Sequence, residues 1–220
     1  MRITLETEDG VEISAARCDA KTGRSLGGVV LLHEIFGLTP YIEGVADYWS
    51  GEGFDVIAPG LFDRQGREIV VDYNDPKAGL AHADRADPRE LLNDIRTSCR
   101  HLMTSNRSVA VVGFCWGGGL AYKAACELEI DAAVVIYGTR LMQYADQTPN
   151  CPVQFNFGKF DKHGGEEVRE AMRRSAPDAS FQVYAADHGF DRKSDDAENR
   201  AVRDALRANV RAFLKRALVE

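Results

Sequence analysis

The feature that most constrains the fold is a Val-rich run that ends in Gly113-Phe-Cys115-Trp-Gly117. The run itself, Ser108–Val112, has the composition of a buried strand, and Gly117–Glu127 after it has helical spacing. A strand, a Gly-x-Cys-x-Gly turn and a helix make up the nucleophile-elbow pattern, here with Cys in place of the more usual Ser. The turn is sharp and strained, so the residues two positions before and after the nucleophile must be small.

The helix that follows the turn affects the protonation of Cys115 and the stability of a nearby oxyanion. Its N-terminus places N–H groups and the positive end of the dipole beside the sulfur, which favours a thiolate and stabilises an oxyanion. The alternatives are a structural Cys after a glycine-rich turn, or a phosphate-binding loop. The Lys-Ser/Thr of a P-loop is missing, and a dinucleotide-binding fingerprint would lie earlier in the chain. The elbow interpretation is favoured.

Short apolar runs alternate with longer helical patterns along most of the chain. The runs are rich in Val, Ile and Phe, which is typical of strands buried on both faces of a parallel sheet. The predicted strands are Gly28–Leu32, Asp55–Ala58, Ser108–Val112, Ala132–Tyr137, Val153–Phe157 and Ser180–Tyr184. The predicted helices are Ile42–Glu52, Pro88–Met103, Gly117–Glu127, Gly165–Arg174 and Asp196–Leu218. The alternation predicts an α/β fold with a mostly parallel central sheet and helices on both faces.

Two parts of the chain depart from this alternation. Arg2–Thr7 and Val11–Ala16 flank Asp9-Gly10 and predict an antiparallel hairpin. Residues 59–87 lack strong periodicity, and such long excursions often lie near a functional site. Because the chain has 220 residues and no repeat or linker, we expect a single domain over residues 1–220.

Composition excludes several classes of function. The formal net charge is −7 and no block of Lys or Arg stands out, so nucleic acid and anionic membranes are poor partners. The N-terminus lacks a signal pattern, and no apolar run approaches the roughly 18 residues that span a bilayer. The five cysteines are irregularly spaced without a C-x-x-C pair, which predicts neither a zinc site nor a disulfide framework. We expect a cytoplasmic monomer or small homo-oligomer that acts on a small molecule.

A nucleophile needs a base, and the base needs a group to orient it. In α/β-hydrolases these follow in the order nucleophile, acid, histidine. Asp161 comes just after the strand Val153–Phe157, and His188 just after Ser180–Tyr184, so both lie at the strand ends where open α/β sheets place their sites. Asp187 is the rival acid but is poorly placed to orient its direct neighbour. His163 is the rival base, on the loop of the acid itself.

The segment His33-Glu34-Ile35-Phe-Gly37 directly follows the strand Gly28–Leu32. This position supplies the second oxyanion-hole N–H of the fold. The expected donors are the backbone N–H groups of Ile35 and Trp116. A metalloprotease interpretation of the His-Glu pair fails, because no second His follows at the helical offset.

Together, Glu34-Ile-Phe-Gly37, Gly113-Phe-Cys-Trp-Gly-Gly118, Asp161 and His188-Gly-Phe190 resemble the dienelactone hydrolase (carboxymethylenebutenolidase) family of the α/β-hydrolase fold, over nearly the whole chain. The resemblance implies a Cys115-His188-Asp161 triad. It also implies that Glu34 helps to deprotonate Cys115 when substrate binds. Without the resemblance, Glu34 could simply be a loop carboxylate that caps the next helix.

Dienelactone-cleaving members of that family hold the substrate carboxylate with arginines. The resemblance places one of them at Arg192, four residues after His188, and Arg is suited to bidentate recognition. The second would lie within residues 59–87, where the candidates are Arg64, Arg67 and Arg85. Tyr137, at the end of its strand, is a candidate pocket wall or a core residue.

The expected reaction is acyl transfer in two steps, in which the Cys115 thiolate attacks a carbonyl and water activated by His188 hydrolyses the thioester. A lactone or activated ester is favoured over a peptide, and no metal or organic cofactor is required. One alternative is a broader carboxylesterase or thioesterase on the same scaffold. Another is a non-catalytic ligand-binding or thiol-sensing protein.

Overall fold

The computed structural model of the protein describes residues 1–193 and 197–219. Strands and helices alternate along the described chain, as the apolar runs predict. The strands are β1 (Arg2–Glu6), β2 (Glu12–Cys18), β3 (Gly28–Leu32), β4 (Asp55–Pro59), β5 (Val109–Phe114), β6 (Ala132–Ile136), β7 (Val153–Gly158) and β8 (Ser180–Tyr184). The helices are α1 (Pro40–Gly51), α2 (Pro76–Arg85), α3 (Pro88–Met103), α4 (Trp116–Glu127), α5 (Glu166–Ser175) and α6 (Ala197–Val219).

The strands form an eight-stranded sheet in the order β1-β2-β4-β3-β5-β6-β7-β8. β1 pairs antiparallel with β2, which confirms the predicted hairpin, and β2 pairs antiparallel with β4. The pairs β3–β4, β6–β7 and β7–β8 are parallel. The predicted α/β fold with a mostly parallel sheet is therefore confirmed.

The chain divides into two compact units, residues 1–111 and 112–220. In the first unit α1 packs on β2 and β4, and α3 packs on β3 and β4. In the second unit α4 and α6 both pack on β6. The expectation of a single domain over residues 1–220 stays a prediction.

The central strands are built from residues with little polar side-chain surface. Every residue of β3, β5 and β6 is buried, which agrees with the continuous apolar runs of these segments. α3 shows how the helices begin: the Asp87 side chain accepts hydrogen bonds from the N–H groups of Arg89 and Glu90, and Pro88 fills the first helical position. Local sequence signals and burial agree for these elements.

Residues 59–87 contain a helix, α2, which the sequence analysis did not predict. Asp75 caps its N-terminus by accepting from the N–H of Ala78, and Pro76 begins the helix. The helix buries only the small residues Gly79 and Ala83, so the apolar periodicity that marks other helices is weak here. The absence of that pattern explains the missed helix.

The predicted C-terminal helix is present as α6, and its predicted first residue, Asp196, lies outside the described residues. Within the described part of the chain, no helix combines the length and the apolar character needed to cross a membrane.

Candidate active site

Cys115 lies between the end of β5 and the start of α4 in a strained backbone conformation. Its φ of 53° and ψ of −117° fall in a region that residues other than Gly rarely adopt. A side chain at Gly113 would overlap the carbonyl oxygen of Gly117. Gly113 is therefore required by steric contact, as expected two residues before the nucleophile of an elbow.

Backbone hydrogen bonds hold the Cys115 turn in place. Its N–H donates to the carbonyl of Ile136 at 3.0 Å, and its carbonyl accepts from the N–H groups of Thr139 at 2.9 Å and Gly118 at 3.0 Å. Trp116 is the first residue of α4. The end of β6 thus fixes the turn from which Cys115 and the Trp116 N–H project.

The ring of His188 contacts Asp161 and not its neighbour Asp187. Nδ1 of His188 lies 2.7 Å from Oδ2 of Asp161. Asp161 also accepts the backbone N–H of His163 at 2.8 Å. The Asp187 carboxylate instead accepts the backbone N–H of His188 at 2.7 Å. Asp161 is therefore the carboxylate that orients the imidazole.

The electrostatic environment of His188 favours its protonated form. Burial alone would lower its pKa, but hydrogen bonds with the side chains of Asp161 and Cys115, together with their charges, raise the pKa to about 10. Burial acts to raise the pKa of Asp161, and the His188 interaction outweighs it, so that pKa is lowered. Cys115, His188 and Asp161 are thus brought together in the second unit.

Two aromatic rings flank the imidazole of His188. The rings of Tyr137 and His163 each lie 5.2 Å from it, both at 66° to its plane. Tyr137 is fully buried, has a φ of 36°, and also packs on Phe190 at 5.2 Å. Of the two interpretations of Tyr137, the structure supports the core residue. The side chain has no exposed surface, and the interpretation of Tyr137 as a pocket wall stays a prediction.

Sequence reasoning missed the contacts of His163 and of Asp191. His163 was considered only as a rival base, although its N–H binds Asp161 and its ring packs on His188. The buried Asp191 carboxylate pairs with Arg207 through two hydrogen bonds, of 2.9 and 3.0 Å, and so anchors the segment after His188. No sequence signal singles out that pair, because its two members are 16 residues apart.

Glu34 and Ile35 lie in the first unit, in the segment after β3. Glu34 is only 2% exposed although it is a carboxylate, and Ile35 is also buried. The preceding His33 hydrogen-bonds to the carbonyl of Glu34 and accepts the N–H of Leu61. A side chain at Gly79 of α2 would lie 2.5 Å from the Ile35 carbonyl oxygen, so α2 packs directly on this segment.

The arginines of residues 59–87 are engaged with protein groups. Arg64 forms two hydrogen bonds with Asp9 and three with Asp94, at 2.7 to 3.1 Å. Its guanidinium is 11% exposed and already neutralised, which argues against the predicted role in binding substrate. Arg85 is exposed and contacts Gln65 and His82.

Arg64 and Arg85 line a small cavity of about 160 Å³ in the first unit. The acidic residues Asp87 and Glu90 line it too, and an anion would be disfavoured there. The third candidate, Arg67, is exposed and pairs with Glu12.

Arg192 lies in the turn that follows His188. Its backbone N–H donates to the carbonyl of Gly189 at 3.1 Å, and the residue is half-buried. A side chain at Gly189 would lie 3.5 Å from the Arg192 guanidinium, so the guanidinium folds back over the turn. Arg192 thus stays close in space to the His188 segment. Among residues 1–193 and 197–219, no group of three or more His, Cys, Asp or Glu side chains is placed to hold a metal ion.

Solved structures of other proteins show the same fold. A Klebsiella pneumoniae protein solved as a candidate dienelactone hydrolase has a TM-score of 0.80 and 24% identity, covering 97% of this chain and 98% of that one. A Pyrococcus furiosus esterase has a TM-score of 0.73 and 17% identity, covering 99% and 92%. These similarities place the chain in the α/β-hydrolase fold.

Sequence relatives narrow the assignment of this chain from a fold to a family. A carboxymethylenebutenolidase of Cupriavidus pinatubonensis is 33% identical over 205 residues, which cover 84% of this chain and 87% of that protein. One from Rhodococcus opacus is 34% identical over 168 residues, covering 69% and 64%. The model of the dienelactone hydrolase family matches residues 15–218. This chain is a member of the dienelactone hydrolase family.

Proposed function

We propose that the protein hydrolyses a small lactone or activated ester through a covalent intermediate on Cys115. The observation that carries the proposal is the placement of His188, whose Nδ1 lies 2.7 Å from Oδ2 of Asp161 and whose pKa is raised by its interactions with Asp161 and Cys115. A nucleophile on a strained turn, with an oriented base beside it, is the arrangement that acyl transfer requires.

In the first step, Sγ of Cys115 attacks the substrate carbonyl carbon, and the C–O bond to the leaving group breaks. The raised pKa of His188 means that its ring carries a proton at neutral pH. That proton goes to the oxygen of the leaving alkoxide or enolate, and a thioester remains on Cys115. Asp161 stabilises the imidazolium before transfer and keeps Nε2 directed towards the reacting atoms.

In the second step, water attacks the thioester carbonyl. His188 is now neutral and accepts a proton from that water, the C–S bond breaks, and the thiolate of Cys115 returns. The product is a carboxylic acid, and His188 is again protonated. The proton given in the first step and regained in the second leaves the enzyme unchanged.

The family resemblance adds two residues of the first unit, Glu34 and Ile35, to the proposal. The backbone N–H groups of Ile35 and Trp116 serve as oxyanion-hole donors. The Glu34 carboxylate accepts the proton of the resting Cys115 thiol when substrate binds, and it returns this proton to the thiolate after the thioester is hydrolysed. The near-complete burial of Glu34 supports a specific role, because moving a carboxylate from water into the interior is costly.

The substrate class depends on Arg192. If its guanidinium binds a carboxylate, the substrate is an anionic lactone of the dienelactone type. The neutralisation of Arg64 by Asp9 and Asp94 removes one expected partner of such a carboxylate. This observation favours a second candidate function, a broader carboxylesterase that does not require the carboxylate.

The test measures hydrolysis of cis- and trans-dienelactone and of p-nitrophenyl acetate by wild type, Cys115→Ala and Arg192→Ala. Arg216→Ala, at an exposed position of α6, is the matched control. We expect Cys115→Ala to abolish both activities. Arg192→Ala should raise the KM for dienelactone about tenfold or more, the loss of one charge-assisted pair, with little effect on acetate hydrolysis.

Each outcome decides between the candidates. Acetate hydrolysis without dienelactone hydrolysis would support the carboxylesterase. Full activity of Cys115→Ala, or no hydrolysis of either substrate class by wild type, would overturn covalent catalysis at Cys115.

A further inference from the structure

His33 is fully buried, and both of its ring nitrogens bind the backbone of the first unit. Nδ1 lies 2.5 Å from the carbonyl oxygen of Glu34. Nε2 lies 3.1 Å from the backbone nitrogen of Leu61, which follows β4. The ring also packs edge-on against Phe62 at 5.0 Å. The imidazole thus bridges the segments that follow two neighbouring strands.

These contacts determine the tautomer of the ring. The Leu61 nitrogen is a donor, so Nε2 must carry no proton and act as the acceptor. The Glu34 carbonyl is an acceptor, so Nδ1 must carry the proton. Burial lowers the pKa of His33 to about 4, and the ring therefore remains neutral at neutral pH.

The Glu34 carbonyl belongs to the same peptide unit as the N–H of Ile35. Because a peptide unit is planar, a hydrogen bond that fixes the direction of the carbonyl also fixes the direction of the N–H. Donation to the carbonyl also polarises the unit and strengthens its N–H as a donor. The Nδ1 hydrogen bond therefore acts on both the orientation and the strength of the Ile35 N–H.

We propose that His33 is a positioning residue that aims the Ile35 N–H at the developing oxyanion by holding the Glu34 carbonyl through Nδ1–H. The inference rests on the proposed function, which takes the Ile35 N–H as an oxyanion donor. In this proposal His33 acts through the peptide unit between Glu34 and Ile35.

Two conservative variants separate the two hydrogen bonds. The amide nitrogen of His33→Asn lies at the position of Nδ1, so this variant keeps the donor to Glu34 and loses the acceptor for Leu61. The terminal amide oxygen of His33→Gln lies near the position of Nε2, so this variant keeps the acceptor for Leu61 and loses the donor to Glu34. The two changes are similar in size and polarity.

We expect His33→Gln to lower kcat for p-nitrophenyl acetate by about tenfold or more. The loss should be smaller than the roughly 10²- to 10³-fold loss that follows removal of an oxyanion donor, because the Ile35 N–H is still present. His33→Asn should keep a kcat near that of wild type, and KM should change little in either. Rates are normalised to the Cys115 thiol titrated by iodoacetamide. A purely structural role would make the two variants differ in thermal stability and not in kcat.

Equal kcat values for the two variants, or a lower kcat for His33→Asn, would overturn the positioning role. If the positioning role fails but the wild type is active and Cys115→Ala is inactive, the proposed function still holds. The ¹⁵N chemical shifts of the His33 ring in wild type provide a test that needs no variant. They should show a protonated Nδ1 and a bare Nε2, and the opposite tautomer would overturn the proposal.

Discussion

His188 is the residue on which the most interactions in the second unit converge. Its Nδ1 is bound by Asp161, Cys115 acts to raise its pKa, and the ring of Tyr137 packs against it from the interior. Charge and hydrogen bonding outweigh burial, so the pKa is raised to about 10. A residue in this environment can give up a proton to a leaving group and regain it from water.

The two aspartates near His188 provide a matched pair for mutation. We expect Asp161→Asn to lower kcat by about 10³- to 10⁴-fold, because the amide no longer stabilises the imidazolium or selects the tautomer. Asp187→Asn should retain most activity, since that side chain accepts only a backbone N–H. Steady-state hydrolysis of p-nitrophenyl acetate measures both. A larger loss in Asp187→Asn would show that the orienting carboxylate is misassigned.

At the level of secondary structure, the Cys115 turn depends on how closely α4 approaches the segment after β6. The close approach occurs at Gly118, where an added Cβ would lie 2.7 Å from the Cα of Gly138. Replacing the hydrogen with a methyl group would force the helix away and shift the residue that precedes it. Small residues at the start of α4 therefore serve the geometry of Cys115 and not the stability of the helix alone.

Gly118→Ala should destabilise the protein by about 1–3 kcal/mol, the usual cost of overpacking, and should lower kcat. The control is Gly44→Ala in α1, where no atom lies within 4 Å of the added Cβ. That change should stabilise the protein by about 0.5–1 kcal/mol, since Ala is the better helix former. Urea unfolding measures both, and a stabilised Gly118→Ala would contradict the described contact.

For the whole molecule, buried ionisable groups couple stability to pH in opposite directions. The Asp94 pKa is raised to about 6 by burial, so this group favours folding at low pH, and the benefit is lost as pH rises from 3.8 through 6. The His33 pKa is lowered to about 4, so folding becomes more favourable as pH rises from 4 to 6.5. The two effects oppose each other in the acidic range.

Above this range the effect of His188 should dominate. Its pKa rises from 6.5 to about 10 on folding, so its stabilisation is complete below pH 6.5 and is lost as pH rises towards 10. We expect the free energy of unfolding to fall between pH 7 and 9, by at most about 1.4 kcal/mol per pH unit for one proton. His188→Asn should flatten this decline in urea unfolding, and His163→Asn should not. A decline of equal slope in His188→Asn would contradict the assignment.

Much of the fold could be predicted from local pattern. The strand Gly28–Leu32 and the helix Pro88–Met103 have the predicted bounds, because the burial of a strand or helix face leaves a regular trace in the sequence. α2 leaves little trace, since it buries only small side chains. Elements are thus predictable where large apolar residues form their buried face.

Within the candidate site, the sequence by itself determined the Cys115 turn, because the steric demands of a strand, a sharp turn and a helix act between neighbouring residues. Only the tertiary structure decided which groups each side chain meets. It paired His188 with Asp161, 27 residues away, and bound Arg64 to Asp94, 30 residues away. Such partners depend on how distant elements pack, and neither periodicity nor spacing along the chain records that packing.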